Sequence, residues 1–82
     1  MVFVSPTVFR YKSYRFFFFS REESRIHIHV IGPEGEAKFW IVPQIEVVKS
    51  VGFSDHELND LAEIIKEKKD EIKKSWRTHF GC

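Results

Sequence analysis

Ile26-His27-Ile28-His29-Val30-Ile31, followed by Gly32-Pro33-Glu34-Gly35 and then by Glu36-Ala37-Lys38-Phe39-Trp40-Ile41, is the stretch that decides how this chain folds. Its strict alternation has the period of a β-strand, so Ile26, Ile28 and Val30 face one side and His27 and His29 the other. Pairing Ile31 with Glu36 across the four-residue loop sets His29 opposite Lys38 and His27 opposite Trp40. On the reverse face the same register puts Val30 beside Ala37, Ile28 beside Phe39 and Ile26 beside Ile41. One register thus sorts an apolar face from a His/Lys/Trp face, and a slip by one residue would mix them.

Upstream, Thr7 to Tyr11 and Tyr14 to Phe19 read as a hairpin turning at Lys12-Ser13, although that turn lacks the Asn-Gly or Gly chemistry favoured there. Phe16 to Phe19 put two aromatics on each face of their strand. One pair joins the core and the other flanks the His face, under cover of either the Trp76/Phe80 end of a helix or a partner protein. Ser20 to Arg25 is polar and reads as a loop. Downstream, Pro43 closes the Lys38/Trp40 strand by removing a ladder donor. Ile45 to Val51 alternates only loosely and reads as a short irregular edge strand, a short helix being the alternative, and Gly52 ends it.

Ser54-Asp55-His56-Glu57 matches a capping box, with Phe53 placed as a hydrophobic staple. Leu58, Leu61, Ile65, Ile72, Trp76 and Phe80 follow at helical spacings on one stripe. Acidic residues come early and Lys73, Lys74 and Arg77 late, which suits the helix dipole, and Gly81 stands at the end. Unbroken, such a helix would be roughly 40 Å long at ~1.5 Å per residue. It must then break near Lys68-Lys69-Asp70 or pack its last turns on another subunit, and Trp76 and Phe80 read as core or interface anchors. The expected fold is α+β: a small antiparallel sheet of four to five strands packed against one long C-terminal helix, with that break as its alternative. The whole chain, 1–82, reads as a single domain, with 1–6 a flexible N-terminus, 7–51 the sheet and 54–80 the helical part.

Eighty-two residues leave a domain little spare stability, and nine Phe help so small a core to close. No apolar run approaches the twenty or so residues of a membrane span, and Met1-Val2-Phe3-Val4-Ser5-Pro6 lacks the features of a signal peptide. A lone Cys82 excludes internal disulfides and multi-Cys metal motifs. A cytoplasmic location is the expectation. The net charge of +1 hides two basic segments. Residues 1–21 hold Arg10, Lys12, Arg15 and Arg21 and no acid, and Lys66 to Arg77 is also basic. They form one patch only if the fold joins them.

Tyr14-Arg15-Phe16-Phe17-Phe18-Phe19-Ser20, His27-Ile28-His29-Val30, Ala37-Lys38-Phe39-Trp40, Gly52-Phe53-Ser54 with Glu57-Leu58, and Trp76 with Phe80-Gly81 resemble, in order and spacing, a prokaryotic domain-of-unknown-function family, DUF4160. Members often carry Pro just before the first His, where this chain has Ser24-Arg25-Ile26. The resemblance implies a small cytoplasmic prokaryotic protein encoded beside a second small gene, an arrangement like that of toxin–antitoxin modules. It leaves the chemistry open, and with it which half of the pair this chain would be.

His27 and His29 project in parallel, roughly 6–7 Å apart, a spacing at which two His can share a divalent metal. A third ligand would come from His56, His79, Glu36 or Glu46, with no spacing that selects one, and no other cofactor is expected. Without metal, the pair could serve as general acid and base, and the plain alternative is packed sheet residues. Beside them Lys38 and Arg15 suit a phosphate and Trp40 a stacked base. Three functions follow. The first is an interaction module of a toxin–antitoxin-like pair, whose His/Lys/Trp face meets a protein encoded nearby or an RNA. The second is a small RNA-cleaving or metal-dependent hydrolytic enzyme using His27 and His29. The third is a homo-oligomer, a structural dimer with no catalytic site.

Overall fold

The alternation at 26–31 folds as the register requires. In the computed structural model, which describes residues 7–19 and 24–81, the elements run β1 (Thr7–Tyr11), β2 (Tyr14–Phe17), β3 (His27–Ile31), β4 (Glu36–Trp40), β5 (Glu46–Val51), α1 (Asp55–Glu67) and α2 (Lys69–Phe80). The expected flexible residues 1–6, most of the loop expected from Ser20 to Arg25, and Cys82 lie outside the described residues. The strands form one antiparallel sheet in chain order, β1-β2-β3-β4-β5. Between β3 and β4 the partners are Ile31↔Glu36, Val30↔Ala37, His29↔Lys38, Ile28↔Phe39 and His27↔Trp40, and the Ile41 amide adds a bond to the Ile26 carbonyl.

Both edges carry irregularities. The β1/β2 register shifts between Thr7 and Phe9, and the hairpin turns on Lys12 with a positive φ of 55°. β2 ends at Phe17 rather than Phe19, yet Phe18 still reaches the core and Phe19 the other side. β5 is the irregular edge strand that its loose alternation implies, with a register shift opposite Lys38/Phe39. Where β5 ends, the backbone of the β3–β4 loop lies against it. A Cβ on Gly35 would run into the Val51 carbonyl, and one on Gly52, at φ 91°, into the Glu34 carbonyl. Only glycine permits that approach.

Phe16, Phe18, Ile28, Val30, Phe39 and Ile41 cover one face of the sheet and are buried against Leu61, Ile65, Ile72 and Trp76 of the helices. Side chains of this kind contribute roughly 1.5–3 kcal/mol each when fully buried. Ser54 caps α1 as expected: its Oγ accepts from the Glu57 amide at 3.1 Å, and a Glu57 carboxylate oxygen accepts from the Ser54 amide at 2.8 Å.

The single long helix is corrected to two. The chain bends at Lys68 (φ −100°, ψ 11°), whose amide is shared between the Ile64 and Ile65 carbonyls while its own carbonyl accepts from Ile72. The hydrogen-bonded run barely pauses, and the bend keeps Ile72 and Trp76 on the sheet. An unbroken rod would overrun a molecule whose extents are 34 × 32 × 21 Å. No helix among the described residues is long and apolar enough to cross a membrane.

Candidate functional site

The helices cover one face of the sheet, and the sequence-predicted residues line the other in three rows. One row crosses the strands as Phe17, His29, Lys38 and Lys49. The next is His27, Trp40 and Glu46. The third runs Arg10, Arg15, Ile31, Glu36 and Val51. Pleating alone explains the rows, because directly opposed residues of paired strands share a face.

His27 is fully buried. Its ring lies 5.9 Å from that of Trp40, 5.1 Å from that of Trp76 and 5.6 Å from that of His29. It therefore fills the end of the sheet, met by β4 on one side and by α2 on the other. Nδ1 lies 2.8 Å from the Arg25 carbonyl, and an N–H there donates to it. Its Nε2 is buried without a hydrogen-bond partner among the described residues. His29 is half-buried, stacked on Phe17 at 5.5 Å and met edge-on by Phe19 at 5.8 Å. The second pair of phenylalanines thus flanks the His face, as the strand parity requires.

Cations rest on the aromatics of this face. The Arg15 guanidinium lies 4.5 Å over Phe17, and its Nε donates to Thr7 Oγ1 at 2.6 Å. Lys38 Nζ lies 5.1 Å from the Trp40 ring, and Lys38 is only 7% exposed. Arg25, in the stretch expected as a loop, covers Trp40 at 4.2 Å. Its Nε donates to the Val42 carbonyl at 2.7 Å, and its Nη2 lies 3.6 Å from Glu46 Oε1. One further backward step of the alternation from His27 would have found it. With Arg10, Arg15, Arg25, Lys38 and Lys49 against Glu36 and Glu46, the face is basic.

The remaining candidates do not gather around the His pair. Trp76 is 2% exposed inside the chain's own core, edge-on to Phe18 at 5.3 Å and 4.3 Å from Phe80, so of the two readings, core or interface anchor, it takes the first. His56 sits on the exposed start of α1 beside Asp60, and His79 lies against Phe80. Glu36 begins β4, and Glu46 is engaged by Arg25. Among the described residues no three His, Cys, Asp or Glu side chains come together in a way that could hold a metal. The basic segments separate as well, Arg10 and Arg15 lying on the face away from the helices and Lys68 meeting β1 at the Phe9 ring, 5.6 Å away.

The model of a family described as a domain of unknown function, DUF4160, matches residues 13–77 of the 82. The chain belongs to the DUF4160 family. The matched span takes in β2 through β5, both tryptophans and nearly all of the cation–aromatic face of this DUF4160 domain, while β1 and Phe80 fall outside it. Neither the curated proteins nor the solved structures give a match.

Proposed function

We propose that this DUF4160 domain is an interaction module of a toxin–antitoxin-like gene pair, and that the protein encoded beside it docks an acidic segment on the face carrying His29, Lys38 and Trp40. The observation that carries this reading is the set of cations held on aromatic rings, Arg15 over Phe17 and Arg25 and Lys38 over Trp40. The cations lie over the rings with no partner bound, an arrangement that reduces the ordering needed on binding. Five basic side chains against two acidic ones favour carboxylates. Co-purification with the neighbouring gene product tests it. Arg10→Glu and Trp40→Ala should each weaken the complex, and raised salt should weaken it further; a complex indifferent to all three sinks the proposal. Recovery of RNA instead of protein would reassign the face.

The RNA-cleaving alternative asks His27 to exchange protons with a substrate, and a ring with no exposed surface is badly placed for that. Growth of a host expressing the chain, beside His27→Ala/His29→Ala, separates the two. Arrest by the wild type but not by an equally folded double variant would restore the catalytic reading.

A further inference from the structure

β5 is an edge of the sheet, hydrogen-bonded to β4 and to no other strand among the described residues. Such an edge offers a row of backbone donors and acceptors to any strand that fits, and proteins blunt it with bulges and lysines. β5 has both, a bulge and Lys49. It also exposes Val47 (42%), Val48 (38%) and Val51 (71%).

The bulge decides which strand fits. Glu46 lies opposite Trp40 and Lys49 opposite Lys38, so both point to the face away from the helices although they are three residues apart. A regular strand forbids that parity. Between them Val47, opposite Phe39, belongs to the helix side. An antiparallel copy, turned about an axis through the sheet between Val47 and Val48, brings Glu46 against Lys49 of the second copy, twice. It brings Val47 against Val48 of the second copy, also twice. Opposite charges then meet on one face and valines on the other, the two kinds of cross-strand pair that stabilise a sheet. Glu46-Val47-Val48-Lys49 is its own complement when read antiparallel, which selects a second copy over an unrelated strand. Glu46 keeps about half of its side chain in solvent while it meets Arg25, so it is free to take Lys49 of the copy as well.

We propose that β5 pairs with β5 of a second copy of this chain, joining two five-stranded sheets into one about a two-fold axis. The interface is isologous and narrow, so the dimer is a weak one.

Sedimentation velocity of the full chain alone, over a broad concentration range, tests this. With no partner protein present, the result does not depend on the docking face proposed above. The wild type should dimerise reversibly, and Val47→Lys/Val48→Lys should stay monomeric. Lys49→Glu should weaken the dimer about tenfold by opposing like charges twice, and Glu46→Lys/Lys49→Glu should restore it. Circular dichroism checks that each variant is folded. If the valine variant does not fold, the charge variants at these exposed positions decide the matter. A wild type monomeric throughout, a dimer that survives the valine changes, or a charge swap that fails to restore it would each overturn the proposal.

Discussion

The imidazole of His27 lies 5.1 Å from the indole of Trp76, an edge-on contact that ties the first residue of β3 to the middle of α2. His27→Ala removes that contact, the bond to the Arg25 carbonyl and a fully buried ring together. Urea denaturation should show a loss of about 2–4 kcal/mol. His29→Ala, at a half-buried position, should lose less. If the two variants melt alike, His27 does not have the structural role assigned to it.

The Gly35/Gly52 approach predicts a second loss, for a different reason. Ala at either position drives a methyl into a carbonyl of the facing segment, at a cost of about 1–3 kcal/mol for the displaced backbone. At Gly52 the positive φ adds a further ~1 kcal/mol. Gly52→Ala should therefore be the less stable of the two in chemical denaturation, and a neutral outcome at both would refute the close approach.

Ser54→Ala removes one half of the capping box and should cost about 1 kcal/mol. Glu57→Ala removes the other half. Because the two bonds close one ring of contacts, the double variant should lose less than the sum of the single losses. A double-mutant cycle read by thermal denaturation checks this.

Tyr14 gives a pH dependence with a definite sign. Burial, and then the carboxylates of Glu34, Glu57 and Asp60, push its phenol above the ordinary tyrosine value. The folded chain therefore holds that proton more tightly than the unfolded chain does. The stability this group contributes is complete below about pH 10 and is lost as pH rises through the raised folded value. Denaturation along an alkaline pH series should show the decline, and Tyr14→Phe should flatten that part of it.

Much of the fold was legible because period-two alternation and a short loop leave one sensible register. All five pairs from Ile31↔Glu36 to His27↔Trp40 follow from them. The capping box was equally plain, being a local pattern with a local partner. What stayed hidden depended on tertiary fit. Nothing between Lys66 and Asp70 breaks a helix by composition, so only the helix's excess length pointed to a break near Lys68-Lys69-Asp70, and the sheet beneath it decided for two helices over one. Of the two readings of Trp76, core or interface anchor, the bend selects the core. The face was legible at His27, His29, Lys38 and Trp40. Arg25 was not, because a polar loop and a strand extension look alike when one charged residue is all that separates them.

The strand order β1-β2-β3-β4-β5 means that every neighbour in the sheet is also a neighbour along the chain. None of the pairings waits for a distant segment to diffuse back, and ring closure costs little for connections this short. The sheet is a succession of hairpins, a topology of low contact order, and such chains reach the native state quickly for β-structure. Speed of that kind shortens the time during which Phe16 and Phe18, which the fold buries, stand in water with nothing to cover them.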